Sequence, residues 1–294
     1  MPCHDLTLKT ETNLYSLTAL IVQLTYPTDM RIVEILDRST QGITRPFICR
    51  GGDGAIYYVK GRHAGYRALC CEWIAGELAR LRGLPVVPFA IVDVPSSLVR
   101  GSIREDAAEL RGGMAFGSRQ VESAVELRWK EVEGGHIAVD LRARVLLFDW
   151  WVNNPDHILS STGGNPNLLW ATAEQQLHLI DHNLAFSPNM MSASLFDFAT
   201  EHVFGADLLV DEARFWEEPE SKLGPLTNAT IELDTFWQQN RRELPRIWND
   251  LPEEWTEATL GFTLEEVQQQ LDRINMQFED FWGTSTTTEG AEEG

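Results

Sequence analysis

Lys60 and the acidic residues that follow it could hold the phosphates of a nucleotide. Lys60 ends the apolar run Ala55–Lys60, and the next stretch carries Glu72 and Glu77. A partly buried ammonium group needs a carboxylate partner, because an unpaired buried charge is costly. A strand lysine held by a glutamate of the next helix orients α- and β-phosphates in phosphotransferases. The alternative is a solvated lysine at the end of a strand.

A loop rich in Asp and Asn provides a second set of reactive side chains. Asp156 follows a run of Asn and Pro, and Asn165 and Asn167 lie shortly after it. In phosphoryl transfer, a loop aspartate orients the acceptor hydroxyl, and the amide oxygen of an asparagine is a hard ligand for Mg²⁺. The alternative is an ordinary turn-rich loop, since Asn, Asp, Pro and Gly are frequent in turns.

Asp181 follows the apolar run Leu177–Ile180 and could bind a metal at the end of a strand. The alternative is a cap of the following helix. Each of these three stretches alone has an ordinary structural explanation. Their order along the chain (strand Lys, helix Glu, loop Asp, Asn, strand-end Asp) predicts an ATP- and Mg²⁺-dependent phosphotransferase. The chain has no HExxH, GxSxG or GxxxxGK[ST] pattern, which argues against zinc proteases, serine hydrolases and P-loop NTPases.

The first half of the chain is predicted to be rich in strands. Arg31–Leu36, Pro46–Arg50 and Ala55–Lys60 contain β-branched and aromatic residues and are separated by turn signals. Tyr66–Arg82 has apolar residues at roughly helical spacing, and residues 86–94 indicate a further strand. We therefore expect a small β-rich lobe with one helix, residues 1–124.

The second half is predicted to be larger and mostly helical, residues 125–282. Val139–Asn153 is apolar, Leu168–Trp170 and Leu177–Ile180 are short strand-like runs, and Thr263–Phe281 begins with a capping box. Residues 283–294 form a polar, acidic tail that we expect to be disordered. The expected fold class is α+β with two lobes.

The composition is that of a folded and strongly acidic protein. Among its 294 residues are 24 Lys and Arg against 44 Asp and Glu, a formal net charge of −20. Such a surface repels the phosphates of nucleic acids, so direct binding of nucleic acid is not expected. The same field predicts that a nucleotide binds only as its Mg²⁺ complex.

The cysteines and apolar runs indicate a cytoplasmic protein. The four cysteines contain no C-x-x-C pair, which argues against a zinc site or a disulfide framework. The N-terminal residues do not have the order of a signal peptide, and no apolar run reaches the ~20 residues of a membrane helix. We therefore expect neither secretion nor a membrane partner.

Four stretches of the sequence resemble the HipA-like kinases, in particular the short, stand-alone bacterial type. They span about residues 30–190 and read PFICRGGDGAIYYVK (Pro46–Lys60), RALCCEWIAGELARLRGLP (Arg67–Pro85), FDWWVNNPDHILSSTGGNPNLLW (Phe148–Trp170) and LIDHNLAF (Leu179–Phe186). The resemblance implies a two-lobed, protein-kinase-like fold, ATP and Mg²⁺ as cofactors, and transfer of phosphate to Ser or Thr of a protein. Full-length HipA toxins are neutralised by antitoxins, so it also suggests an antitoxin-like partner.

The resemblance also implies roles for individual residues. Lys60 would bind phosphates with Glu72 as its partner, Asp156 would be the catalytic aspartate, and Asp181 would be the main Mg²⁺ ligand. The second metal ligand would be an asparagine after Asp156, for which Asn165 is favoured and Asn167 comes second.

The loop after Asp156 departs from the pattern of the family. The family's loop reads roughly N-x-D-R-H/T-x-x-N, whereas here His157 follows Asp156 and Asn165 lies nine residues beyond it. About four extra residues within SSTGG lengthen the loop. This irregularity motivates an alternative function, a nucleotide-binding interaction module that has lost catalysis. A small-molecule kinase is the other alternative.

Two further segments are candidates for nucleotide contacts. Ser39–Thr44 lies where kinases cover the phosphates, and backbone N–H groups and hydroxyls at Ser39, Thr40 and Gly42 could bind phosphate oxygens. A plain turn is the alternative. The resemblance suggests that Val121–Ser123 is the hinge that offers backbone groups to adenine, so Val121 and Ser123 are adenine-binding candidates. Other histidines show no metal-ligand spacing and are expected in core or surface roles: His63, His136, His178, His182 and His202.

Overall fold

The N-terminal strands close into a barrel. A computed structural model describes residues 30–40, 42, 44–188, 194–208 and 219–273. The barrel strands are β1 Met30–Arg38, β2 Phe47–Gly51, β3 Ile56–Lys60, β4 Phe89–Val94 and β5 Gly113–Arg119. They are hydrogen-bonded in the order β1-β2-β3-β5-β4, and β4 returns to β1 in parallel, with Met30 opposite Val92. All other neighbours in the barrel are antiparallel.

Strand β3 directs Lys60 away from the interior of the barrel. Tyr57 and Val59 are buried in the apolar cluster that fills the barrel. Successive side chains of a strand point to opposite faces. Lys60 therefore lies on the other face, where it is opposite Phe116 of β5 and beside the first helix.

Helix α1, Tyr66–Leu81, packs against this outer face of the barrel. The sequence predicted it over Tyr66–Arg82, and the structure confirms the helix. Its Gly76 lies so close to β4 that a β-carbon there would be 2.8 Å from the ring of Phe89. This close approach brings Glu72, one turn earlier, to Lys60.

The second half contains more strands than the sequence indicated. Strands β6 Ala124–Glu126, β9 Leu168–Ala171 and β10 Gln176–Leu179 form one sheet in the order β10-β9-β6. Strands β7 Ile158–Ser160 and β8 Gly163–Asn165 form a separate hairpin. The sequence predicted β9 and β10 as short strands, and the structure confirms both.

The remaining helices follow the barrel helix along the chain. They are α2 Ser96–Gly101, α3 Ala107–Leu110, α4 Trp129–Glu133, α5 Val139–Trp151, α6 Leu195–Ala199, α7 Gly205–Leu208, α8 Pro219–Asn240, α9 Leu244–Asn249, α10 Glu253–Glu257 and α11 Leu264–Asp272. The protein is therefore a mixture of strands and helices, with more helix in its second half. None of the described helices combines the length and apolar character needed to span a bilayer.

The expectation of one helix in residues 1–124 and two strands beyond residue 125 needs correction. Helices α2 and α3 have six and four residues, too few for a periodic apolar pattern. Strand β5 was not predicted from its glycine-rich sequence, in which Gly117 occupies a crowded barrel position where a β-carbon would be 3.0 Å from Val92. Strands β6, β7 and β8 have three residues each and carry no apolar run.

Three segments of the sequence prediction lie partly or wholly outside the described residues. The capping box at Thr263 and Glu266 is present, and α11 begins there as predicted. The predicted continuation of this helix to Phe281, the apolar run Leu17–Leu24 and the acidic tail 283–294 lie outside the described residues.

A large apolar core joins α1 to α5 and to the C-terminal helices. Indole N–H groups also connect these elements, because Trp73 donates to the carbonyl of Ile247 at 3.1 Å and Trp151 donates to that of Leu271 at 3.0 Å. Helix α5 is buried over most of its length, and within this apolar environment it carries the fully buried carboxylate of Asp149.

Candidate active site

Lys60 lies between two carboxylates from different parts of the chain. Its Nζ donates to Oε1 of Glu72 on α1 and to Oδ1 of Asp181 at 2.5 Å. The second carboxylate oxygen of Glu72, Oε2, accepts the backbone N–H of His182 at 3.0 Å. Strand β3, helix α1 and the segment after β10 therefore meet at one group, the open cluster of Lys60, Glu72 and Asp181. Glu77, the other candidate on α1, instead accepts a hydrogen bond from Arg80 at 3.1 Å.

The open cluster contains two carboxyl groups for one ammonium group. Burial alone would lower the pKa of Lys60, but Glu72 and Asp181 raise it above its ordinary value, so Lys60 stays charged. Burial raises the pKa of Glu72 to about 7 despite the nearby lysine. Burial also opposes ionisation of Asp181, yet Lys60 holds the pKa of Asp181 below its usual range. The cluster thus has two carboxyl groups for one positive charge.

The backbone at the site is held in unusual conformations. Asn153, Asn167 and Asp181 have φ angles of 49°, 47° and 59°, in the left-handed region that non-glycine residues seldom adopt. Each such residue costs of order 1 kcal/mol and persists only where the surroundings enforce it. Residues held in this region at Asn167 and Asp181 fit a site that keeps polar groups in a fixed arrangement.

Asp156 is half-buried and accepts hydrogen bonds from both candidate asparagines. The amide nitrogen of Asn167 lies 2.7 Å from Oδ2 of Asp156, and that of Asn165 lies 3.4 Å from the same oxygen. Burial and the charge of Asp181 raise the pKa of Asp156 above its usual value. A carboxylate with a raised pKa is a better acceptor for a hydroxyl proton.

The extra residues after Asp156 fold into the β7–β8 hairpin. Ile158 pairs with Asn165 and Ser160 pairs with Gly163, so the two ends of the inserted segment lie side by side. The chain therefore brings Asn165 back next to Asp156 despite the lengthened loop. Gly164 is required in this hairpin, because its φ is +155° and a β-carbon there would overlap the carbonyl oxygen of Ile158.

A cavity of about 410 Å³ adjoins the open cluster. Predicted site residues in its lining are Ser39, Gly42, Lys60, Val121, Asn165, Asn167 and Asp181. Four other predicted site residues are absent from the described part of the lining: Thr40, Glu72, Ser123 and Asp156. Glu72 and Asp156 instead contact residues of the lining: Glu72 accepts a hydrogen bond from Lys60, and Asp156 accepts one from Asn167.

The sequence did not predict several residues that line this cavity. Tyr58 and Ser118 come from neighbouring barrel strands, and Arg119 and Gln120 come from the end of β5 and the residue after it. Strand β5 was not predicted from its glycine-rich sequence, so its contribution to the cavity could not be predicted either.

A second cluster of charged residues lies fully buried behind the hairpin. Oδ2 of Asp149 is 2.7 Å from Nδ1 of His157 and 3.0 Å from Nε2 of His202, and Oδ1 accepts from the amide of Asn154 at 3.2 Å. The side chains of Asp149 and His157 have no solvent exposure. We call Asp149, His157 and His202 the sealed cluster.

The sealed cluster is close enough to share a metal ion, but its hydrogen bonds favour protons instead. The backbone N–H of Phe204 donates to Nδ1 of His202 at 3.1 Å. Since that nitrogen is an acceptor, Nε2 of the neutral ring carries the proton and donates it to Asp149. A metal ion on Nε2 would have to displace this proton.

Little in the sequence indicates the sealed cluster. Its histidines lack regular spacing, and His202 is 53 residues from Asp149. The expectation of a core role for His202 agrees with its burial. The one available signal was Asp149 within the apolar second half of the segment that forms α5, which indicates a buried carboxylate with partners elsewhere.

Known proteins can be compared with this geometry. The sequence model of the HipA-like kinases matches residues 32–285. The fold is similar to the crystal structure of a Helicobacter pylori proinflammatory kinase, CtkA, with 11% identity, a TM-score of 0.47 and coverage of 89% of this chain and 99% of that chain. It is also similar to LicA in complex with AMP, with 14% identity, a TM-score of 0.32 and coverage of 84% and 93%. Among curated proteins, no match was found.

Proposed function

Because the chain belongs to the HipA-like kinase family, we propose that it transfers the γ-phosphate of ATP to a Ser or Thr hydroxyl of a protein. The observation that carries the proposal is the Lys60 ammonium, held by Glu72 and Asp181 at the wall of a cavity. The cavity volume of about 410 Å³ falls within the ~300–1,000 Å³ of typical small-molecule sites.

The cavity lies between two lobes in this proposal, residues 1–124 and 125–282. Lys60 and Ser39 line it from the first lobe, whereas Asn167 and Asp181 line it from the second. Such a position lets the first lobe hold the nucleotide while the second lobe supplies the groups that act on the acceptor.

Nucleotide binding is assigned to residues along the cavity. The Lys60 ammonium binds phosphate oxygens and keeps its orientation through Glu72. Backbone and hydroxyl groups of Ser39, Thr40 and Gly42 cover the phosphates. The segment around Val121 and Ser123 binds adenine, which is supported by the place of Val121 in the cavity lining.

The donor set near Asp181 suits a magnesium ion. Mg²⁺ prefers carboxylate and amide oxygens, and the open cluster has one carboxyl group in excess of its ammonium group. Asp181 and Asn165 would hold the ion, because the amide of Asn165 is bound to Asp156 only at 3.4 Å, whereas that of Asn167 is fixed there at 2.7 Å. Bound there, Mg²⁺ supplies neutralising charge for the phosphates.

Asp156 orients the acceptor hydroxyl and accepts its proton as the hydroxyl oxygen attacks the γ-phosphorus, while the bond from the γ-phosphorus to the β–γ bridging oxygen breaks and ADP leaves. The raised pKa of Asp156, which burial and Asp181 cause, favours this acceptance. Asn167 fixes the carboxylate through its short hydrogen bond. Catalysis then rests on positioning and on electrostatic stabilisation of the transferred group.

Transfer of labelled γ-phosphate tests the proposal. The parent chain, incubated with γ-labelled ATP, Mg²⁺ and fractionated proteins, should label an acceptor protein at Ser or Thr. Asp156→Asn keeps the size of the side chain and should reduce the rate by about 100- to 10,000-fold. Nucleotide binding without any transfer would contradict a kinase, and labelling of metabolites alone would contradict a protein acceptor.

A further inference from the structure

The buried side chain of His157 connects the segment of Asp156 with the segment of Asp181 through hydrogen bonds. We propose that His157 is a positioning residue whose charged ring holds Asp156 and Asp181 in a fixed position relative to each other. This inference rests on the proposed kinase function. His157 does not line the cavity among the described residues, so it acts through the backbone next to the reactive side chains.

Both ring nitrogens of His157 face hydrogen-bond acceptors. Nδ1 lies 2.7 Å from the carboxylate of Asp149, and Nε2 lies 3.2 Å from the backbone carbonyl of Ile180. A neutral imidazole has one N–H, so its other nitrogen would face an acceptor without a proton between them. The protonated ring satisfies both, and Asp149 balances its charge. Burial opposes this protonation, but Asp149 raises the pKa of His157 above its usual value.

The position of His157 in the chain makes this network relevant to the reaction. His157 directly follows Asp156, and its acceptor Ile180 directly precedes Asp181. The backbone N–H of Ile180 donates to the carbonyl of Asn167 at 3.1 Å, and the side chain of Asn167 donates to Asp156. These contacts form a closed circuit from Asp156 through His157, Ile180 and Asn167 back to Asp156. A displacement of one member therefore displaces the others.

The sealed cluster anchors this circuit to the protein core. Asp149 lies on the buried helix α5, and it also accepts hydrogen bonds from His202 and Asn154. The carbonyl of His157 accepts the N–H of Val203 at 2.8 Å, which fixes its backbone as well. The ring of His157 is thus the donor that links a rigid helix to the residue preceding Asp181.

Two substitutions separate the two hydrogen bonds of His157. The amide nitrogen of Asn can replace Nδ1, and that of Gln can replace Nε2. His157→Asn therefore keeps the bond to Asp149 and loses the bond to Ile180, whereas His157→Gln does the reverse. Both remove the charge, so their difference reports the hydrogen bonds alone. His136→Asn, at an exposed histidine, is the matched control.

The proposal predicts opposite rankings of activity and stability for the two variants. His157→Asn should lower kcat by about 10- to 100-fold, the usual range for loss of an outer hydrogen-bond partner in an active site. Its KM for ATP should change little, since Lys60 is untouched. His157→Gln should keep more of kcat but unfold at lower denaturant concentration, because buried Asp149 loses its closest donor. A merely structural His157 predicts that the less stable variant is also the less active, and that result would overturn the proposal.

Amide hydrogen exchange decides the inference even where no phosphate is transferred. The N–H groups of Ile180 and His182 are hydrogen-bonded to Asn167 and Glu72 on either side of Asp181. His157→Asn should speed exchange at both amides by about tenfold or more, whereas His157→Gln and His136→Asn should leave them near the parent rate. Unchanged exchange in His157→Asn would overturn the positioning role, while absence of transfer by the parent chain would overturn only the kinase function.

Discussion

The two charged clusters of this protein differ in balance and in access to solvent. In the open cluster, two carboxyl groups share the single ammonium of Lys60, and Asp181 lines a cavity. In the sealed cluster, the charge of Asp149 is matched by that of His157, and both side chains are fully buried. The second cluster is complete by itself, whereas the first has an excess of negative charge facing an open space.

Because of this difference, we expect the open cluster to bind a ligand and the sealed cluster to maintain the geometry of the site. An unbalanced cluster beside a cavity gains from an incoming cation, because the ion offsets the excess negative charge. A balanced buried cluster gains nothing from a ligand, but it loses much when one partner is removed, since the other charge stays buried. Substitutions in the two clusters should therefore have opposite effects on stability.

Removal of Asp149 should give the largest change in stability. Asp149→Ala leaves the His157 ring without its counter-charge in the core, and loss of one partner of a buried ion pair costs about 3–5 kcal/mol. Urea unfolding measures the free energy of unfolding. The control is Asp93→Ala, whose half-exposed carboxylate is 3.6 Å from Arg31 and should contribute at most about 1 kcal/mol. Equal losses in the two variants would abolish the distinction between the clusters.

Removal of the charge of Asp181 should have the opposite pattern. Asp181→Asn leaves Glu72 as the single carboxylate for Lys60, so the free energy of unfolding should stay the same or rise. Transfer of γ-phosphate should fall by about 100- to 1,000-fold, the usual loss for a preorganised electrostatic group. Paired measurements of unfolding and transfer check both parts. A variant that unfolds easily or retains its activity would contradict the role of the open cluster.

The pH dependence of stability should carry the signature of the sealed cluster. Asp149 raises the pKa of His157, so its stabilisation is complete below the unfolded value of about 6.5 and is lost as pH rises through the higher folded value. Burial and the charge of His157 lower the pKa of His182 to about 4, and burial lowers that of His202. These two rings should therefore make stability fall as pH drops below 6.5.

Urea unfolding of the parent chain at a series of pH values should thus give a maximum, with slopes of at most about 1.4 kcal/mol per pH unit for each group. Besides Asp149, the titratable groups facing His157 are Asp156, His182 and His202. His157→Asn should remove the decline on the alkaline side and keep the decline on the acid side. An alkaline decline that survives in this variant would show that another group causes it.

The smallest expected effect is at the hairpin that returns Asn165 to Asp156. Gly164→Ala places a methyl group against the carbonyl of Ile158 and should destabilise the protein by about 1 kcal/mol or more. The transfer rate should fall several-fold with it, because Asn165 shifts. Gly101→Ala, where a β-carbon meets open space, should leave both quantities near the parent values. Equal behaviour of the two variants would show that the hairpin does not position the asparagine.

The open cluster could be predicted from the sequence because each member follows a local pattern. Lys60 and Asp181 come at or after the ends of apolar strands, and Glu72 lies on a helix whose apolar residues recur at roughly helical spacing. The barrel closure, β5 and the short helices could not be predicted, because they depend on glycine-rich or very short segments that pack through distant contacts. The sealed cluster could not be predicted either, since tertiary structure alone brings His202 to Asp149.

The hairpin shows how a departure from a family pattern can be absorbed. From the sequence, four extra residues after Asp156 gave reason to expect a displaced asparagine and impaired catalysis. The pairing of Ile158 with Asn165 returns the chain to Asp156, so the inserted residues project as β7 and β8. Pairing of this kind depends on backbone hydrogen bonds, which residue types alone do not specify in so short a segment.

Calorimetric titration of the parent chain with ATP, in the presence and absence of Mg²⁺, tests the central claim most directly. The excess negative charge of the open cluster and the net charge of −20 should repel free ATP. We predict heat of binding with Mg²⁺ present and none with a chelator, with weaker binding for Lys60→Ala. Equal affinity with and without Mg²⁺ would contradict the assignment of the open cluster as the site of a metal–nucleotide complex.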